Sequence, residues 1–170
     1  MSKNNEDEIL DYDDDDDDED TQKGKFLTFD IGKESYGIGI EFVTEIIGIL
    51  PIAEIPELPC YIKGIINLRG KIIPVMDVRL RFKKPPKEYN GRTCVIVIDI
   101  LNFSVGLIVD SVAEVVNIPD ENIVPPPSTS TGFSNKYISG IGKIGSDVKL
   151  LLSCEYLLAK DELEHISSLN

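Results

Sequence analysis

Slid by 69 positions against itself, the sequence matches without a gap in two places, and this internal repeat constrains the fold more than any other feature. Phe26-Leu27-Thr28-Phe29-Asp30-Ile31 falls on Val95-Ile96-Val97-Ile98-Asp99-Ile100. Residues 36–47 (YGIGIEFVTEII) fall on residues 105–116 (VGLIVDSVAEVV), with Gly, Val and Glu coincident and the apolar positions in phase. At a slightly larger shift Tyr61-Ile62-Lys63-Gly64-Ile65 matches Tyr137-Ile138-Ser139-Gly140-Ile141, and Lys71-Ile72-Ile73 is aligned with Lys149-Leu150-Leu151. Several matches in one order mean two structurally equivalent halves of roughly 70 residues each.

Each half reads as strands. Segments 25–31, 35–40, 43–49, 64–68 and 71–76 are short runs rich in Ile, Val and Phe, punctuated by turn-forming clusters such as Ile31-Gly32-Lys33-Glu34 and Leu68-Arg69-Gly70-Lys71. Five strands per half at this spacing predict two small barrels, because closing a sheet removes its edges. A barrel of that size has a marginal core by itself, so the halves are expected to share an apolar seam. Helix is sparse: one or two turns over 77–82, stopped by Lys83-Lys84-Pro85-Pro86, and an amphipathic helix over 154–169.

The net charge of −13 is concentrated at one end. Residues 1–24 hold 12 of the 30 acids against Lys3 and Lys23, including the unbroken run DDDDDDED at 13–20. Like charges at that density repel and no apolar periodicity offsets them, so 1–24 is expected to be a disordered acidic tail. It lacks the glycine turn and terminal Glu of a calcium loop. The remainder carries 18 acids and 15 bases and offers no basic nucleic-acid surface. No apolar run reaches the roughly 20 residues of a membrane span, and the N-terminus has no secretory pattern, which predicts a cytoplasmic protein. Cys60, Cys94 and Cys154 are odd in number and widely spaced, the pattern of buried reduced thiols rather than of disulfides or zinc.

Catalytic chemistry finds little footing. The single histidine, His165, rules out a Ser-His-Asp or Cys-His site and any histidine-based metal set. Gly37-Ile38-Gly39 lies inside a strand pattern, without the third glycine and following helix of a phosphate loop. Carboxylate pairs such as Asp77 with Glu45 could in principle do acid–base work, and the tail could buffer cations, but recognition is the stronger expectation: no enzyme, no cofactor and no metal.

Segment 61–77, YIKGIINLRGKIIPVMD, closely resembles the signature of the chemotaxis coupling proteins, the CheW-like domains; 36–46 and 105–110 match other landmarks of that family, and the resemblance runs from about Lys25 to Leu158. It implies an all-β domain over 25–170, made of two intertwined, pseudo-symmetric five-stranded SH3-like barrels with a C-terminal helix. It also implies a non-enzymatic adaptor that binds the regulatory domain of the chemotaxis histidine kinase and the cytoplasmic tip of chemoreceptor coiled coils. Such an adaptor meets the membrane only through its receptors. A coupling domain serving a non-chemotactic receptor pathway is the alternative.

By that resemblance the strand around Val43 and Glu45 and the turn at Arg69 are partner-contact regions, and repeat symmetry adds Val112 and Glu114. Val43 and Glu45 are expected on one strand face, where Glu45 is an unusual inward residue. Arg69 could instead brace the barrel by pairing with Glu45. Gly64 and Gly70 are expected to serve turn geometry. The loop 123–133, IVPPPSTSTGF, lacks the charged and aromatic residues that some members of the family use for further contacts, which leaves a second kinase contact there in question.

Overall fold

Both halves supply the same succession of short apolar strands and tight turns, and they build the same hydrogen-bonded framework. The computed structural model describes residues 22–126 and 136–158. The described strands are β1 (Lys25–Ile31), β2 (Glu34–Gly39), β3 (Val43–Gly48), β4 (Ile62–Leu68), β5 (Lys71–Asp77), β6 (Cys94–Ile100), β7 (Phe103–Val109), β8 (Ser111–Asn117), β9 (Ile123–Val124), β10 (Ile138–Ile144) and β11 (Asp147–Leu152). Helix among the described residues is confined to single turns, chiefly Val78–Arg81 and Cys154–Leu157. The rest of the expected C-terminal helix, residues 1–21 of the acidic tail and residues 127–135 of the proline-rich loop lie outside the described residues. Gly24 belongs to the fold, its carbonyl accepting the Ile118 amide at 2.8 Å.

One sheet has the order β8-β1-β2-β11-β10-β9 and the other β3-β6-β7-β5-β4. The two-residue β9 corresponds to a single bridge, Ala53 to Ile65, in the second sheet, so each is a five-stranded sheet with a stub. The orders superpose under the repeat. Val43 faces Ile98 as Val112 faces Phe29, and Ile46 faces Ile96 as Val115 faces Leu27. In the later strands the true shift is 76: Gly64 pairs with Val75 and Gly140 with Leu151. The alignment of Lys71-Ile72-Ile73 with Lys149-Leu150-Leu151 is therefore two residues out, because register counts from the two-residue turns that join Leu68 to Lys71 and Ile144 to Asp147.

Neither sheet is built from one half. β1 and β2 sit at the centre of a sheet completed by β8 to β11, while β6 and β7 sit at the centre of one completed by β3, β4 and β5. The halves meet in each sheet at one parallel pair, β2 with β11 or β5 with β7, and one antiparallel pair, β1 with β8 or β3 with β6. Glycine permits the close approach at these parallel pairs: a Cβ on Gly37 would lie 2.9 Å from Leu151 Cδ2, and one on Gly106 2.9 Å from Val75 Cγ1. Pro74, which has no amide to donate, stands just before the β5–β7 pairing begins at Val75.

The larger core draws on both sheets, with Phe29, Ile31, Ile38, Met76, Ile96, Ile98, Leu107 and Leu157 almost completely buried. A smaller one, including Ile66, Ile73, Val75 and Val95, fills the barrel of β3 to β7. Buried Asp77 caps the first helical turn by accepting the Leu80 amide at 3.4 Å, and accepts the Tyr89 hydroxyl at 2.8 Å. Burial, then the hydrogen bond and charge of Asp77, push the Tyr89 phenol well above its ordinary value. The cysteines depart from the expectation of uniform burial: Cys154 is buried, Cys94 half-buried and Cys60 exposed, and all three are free. Burial and the charges of Glu41 and Glu155 push the Cys154 thiol up to about 12.

An ion pair ties the first helical turn to the end of β7. Asp110 accepts from Arg79 Nε at 3.0 Å and from the Gly32 amide at 2.8 Å, with Lys87 Nζ 3.9 Å away. Burial by itself would raise the Asp110 carboxyl. The Arg79 hydrogen bond, the Gly32 amide and the charges of Arg79 and Lys87 outweigh it and hold the group below its ordinary value. A carboxyl lowered on folding stabilises fully above its unfolded value of about 4, and that contribution is lost as pH falls through the folded value. We therefore expect Asp110→Asn to lower the urea midpoint at neutral pH, with the deficit shrinking from about pH 5 downward. A deficit of constant size across that range would locate the effect elsewhere.

Candidate partner-binding surface

The expected contact residues fall on equivalent strands at the edges of the two sheets. β3 carries Val43 and Glu45 at the end of one sheet, and β8 carries Val112 and Glu114 at the end of the other. An edge strand shows one row of backbone donors and acceptors, which makes it a natural place for another chain to meet the sheet.

Val43 and Glu45 do not share a face. The β3–β6 register slips between them, so that Val43 lies opposite Ile98 and Glu45 opposite Val97. A bulge adds one residue to the alternation and sends the two side chains to opposite sides. Val43 thus packs, half-buried, on the core drawn from both sheets, whereas Ile47, two residues beyond Glu45, packs on the smaller core. Val112 packs on the larger core in the same way, next to an equivalent slip in the β1–β8 register. There Thr28 Oγ1 donates to the Glu114 carbonyl at 2.8 Å and accepts from the Glu114 amide at 3.1 Å. The valines anchor the edges, and the glutamates ride beside the bulges.

Glu45 is paired with Arg69 in a salt bridge between Oε2 and the guanidinium, with side chains 33% and 69% exposed respectively. The pair joins β3, at one end of its sheet, to the β4–β5 turn at the other. Arg69 adopts a φ of 52° and Gly70 one of 87°, and the Gly70 amide donates to Asn67 Oδ1 at 2.8 Å, a tight turn that presents the guanidinium. The second half has Gly145 and Ser146 at the corresponding turn, so the two ends of the molecule differ chemically. Gly64 is not in a turn. It occupies a bulge in β4 with a φ of 146°, where the chain passes close to Ala53.

Sequence reasoning missed Ile46 and Val115. These repeat-equivalent residues, on the same two edge strands, are 43% and 52% exposed. The repeat alignment contained the signal, since it sets one on the other, and plain alternation from Val43 and Val112 puts both on the opposite strand face. Asp77 and Glu45, weighed as an acid–base pair, have separate structural partners in Tyr89 and Arg69. Among the described residues no group of three His, Cys, Asp or Glu could hold a metal ion, and no helix is long and apolar enough to cross a membrane.

The profile of the CheW-like domain matches residues 25–162. The chain is 37% identical to the chemotaxis protein CheW of Klebsiella aerogenes over 139 residues, covering 82% of this chain and 84% of that one. It is 31% identical to the chemotaxis protein CheW of Treponema pallidum, covering 85% and 88%. Among solved structures, the scaffolding protein TtCheW from Thermoanaerobacter tengcongensis superposes with a TM-score of 0.75 at 36% identity, covering 82% of this chain and 94% of that one.

Proposed function

The chain belongs to the CheW-like domain family, and from that premise we propose that it is a non-enzymatic adaptor joining the cytoplasmic tips of chemoreceptors to the regulatory domain of the chemotaxis histidine kinase. The support is of two kinds. Relatives that match most of this chain are named for chemotaxis, and one solved relative is described as a scaffolding protein. The observation that carries the reading here is the pair of equivalent edge strands, each with an outward apolar residue, Ile46 or Val115, beside a glutamate. Residues 25–170 act in this reading as one binding unit in the cytoplasm, brought to the membrane by its receptors.

An adaptor of this kind does no covalent chemistry. It raises the local concentration of kinase at the receptor and transmits a receptor shift as a coupling free energy between two interfaces. The chemical difference between the two ends suits unlike partners. At the β4–β5 turn the exposed Arg69 guanidinium, beside Glu45, offers charged donors to a carboxylate, which the corresponding Gly145-Ser146 turn lacks.

Titration against the kinase regulatory domain and against a receptor tip fragment tests the proposal. Arg69→Glu is expected to weaken one of the two by roughly 1–3 kcal/mol, the range for a charge-assisted contact. Its effect on stability should stay below about 1 kcal/mol, since the Arg69–Glu45 pair is solvent-exposed. Unchanged affinity for both partners in the folded variant would limit Arg69 to bracing the barrel. No binding of the unaltered protein to either would overturn the adaptor reading.

A further inference from the structure

We propose that the acidic run at 13–20 docks within its own chain, on a basic cleft with an aromatic floor at the junction of β2, β10 and β11. The cleft has a volume of about 670 Å³. Its floor is a row of rings, Tyr36, Phe82 and Tyr137, with centroids 5.3 and 5.6 Å apart. Cations stand over that row. The Arg81 guanidinium carbon lies 4.9 Å from the Tyr137 ring centre and 4.3 Å from that of Tyr61, and Lys136 Nζ lies 5.0 Å from the Tyr137 ring centre. Lys83 and Lys84 complete the rim, and the lining's one carboxylate, Glu34, is already paired with Lys84. A shallower depression shares Glu34 and Leu150 with the cleft and adds Lys33 and Lys149 against Asp147.

Six of the 15 bases beyond residue 24 therefore line one continuous stretch of surface, in a region where acids outnumber bases overall. Those bases outnumber the two acids of the stretch, Glu34 and Asp147, and a predominantly basic patch in a more acidic surface focuses field on an anion. The aromatic floor holds the Arg81 cation in place, while Lys83 is exposed on a backbone with a φ of 61°.

The chain carries its own ligand for such a surface. Asp13-Asp14-Asp15-Asp16-Asp17-Asp18-Glu19-Asp20 offers eight consecutive carboxylates. Their tether is short: Asp20 precedes the start of β1 by five residues and Asp13 by twelve. At about 3.3–3.6 Å per residue the run reaches from roughly 17 to 40 Å beyond Lys25, and β1 itself spans about 23 Å towards the Lys33 turn. A segment so tethered acts at an effective concentration in the millimolar range, which an anionic partner in free solution must exceed. The attraction falls off over about 8 Å at physiological salt, so the docking is salt-sensitive. It does not depend on the adaptor reading above.

Zero-length carbodiimide cross-linking of the full chain, mapped by mass spectrometry, tests this. The expected linkages run from residues 13–20 to Lys83, Lys84 or Lys136 within monomers, with yield independent of protein concentration and falling about fivefold or more at high salt. Lys83→Ser combined with Lys136→Ser should remove most of the yield and leaves the Lys84–Glu34 pair intact. Linkages spread equally over Lys63 and Lys71 would overturn the proposal. So would linkages found only in cross-linked dimers, which would assign the occupant to a second copy. Should the double variant disturb folding, the full chain with residues 13–20 changed to Ser and Asn serves instead. Its Lys83 and Lys136 amide resonances should shift from those of the unaltered protein at low salt and coincide with them at high salt, and identical spectra at low salt would defeat the idea.

Discussion

Gly64→Ala is expected to cost about 3 kcal/mol or more, a larger loss than adding one methyl to a buried strand face usually brings. A Cβ at Gly64 would sit 2.1 Å from the Ala53 carbonyl oxygen and 2.8 Å from its carbonyl carbon, and backbone cannot move aside as a flexible side chain can. The same Ala53 carbonyl accepts the Ile65 amide at 3.0 Å, and the Ala53 amide donates back to Ile65 at 2.9 Å, so relief of the clash would break the bridge that extends the sheet beyond β4. The φ of 146° adds strain for any residue with a side chain. Gly70→Ala is the control. Its φ is also positive, at 87°, but nothing lies within 4 Å of the added carbon, and a loss of about 1 kcal/mol is expected. Urea midpoints of the two variants decide the matter. Equal losses would mean that the approach of Ala53 is not tight.

Phe29→Ala should lower stability by about 3–5 kcal/mol, the range for removing a buried aromatic ring. Phe29 is fully buried in the core drawn from both sheets and stacks on Tyr36 with centroids 5.8 Å apart. It lies opposite Tyr36 on one side and Val112, from the other half of the repeat, on the other. The informative part is the shape of the transition. Because strands of both halves share this core and both sheets, unfolding followed by far-ultraviolet dichroism and by tyrosine fluorescence should remain one coincident transition at a lower midpoint. Two separated transitions would mean that the halves fold as independent barrels.

Particular residues show why some of this architecture was legible beforehand. β1 was bounded correctly at Lys25 and Ile31, and the later hairpin was readable from Arg69-Gly70, because these features depend on local periodicity and turn chemistry. The capped turn at Asp77 was readable too, as a short carboxylate followed by Val78–Arg81. The site was only half legible. Arg69 and Glu45 could be singled out by resemblance, and their pairing was foreseen as one of two options. That Val43 and Glu45 point to opposite sides was not, since a bulge arises from pairing with β6 and leaves no local mark in a strand. The exposure of Ile46 and Val115 depends on what covers each edge strand, which alternation does not record, and Cys60 was misplaced because composition cannot say which thiol a loop leaves exposed.

By itself, then, the sequence determined the strand inventory, the two-fold repeat and the family, all carried by periodicity, turn residues and a contiguous motif. Only the tertiary structure decided which strands share a sheet. The β1–β2 hairpin buries Leu27, Thr28 and Phe29 in succession and so needs cover on both faces and neighbours on both edges. The second half supplies those neighbours, β8 on one side and β11 on the other. Pairing partners more than 80 residues apart, such as Phe29 and Val112, are chosen by burial and register across the whole molecule, and no local pattern in either strand records that choice.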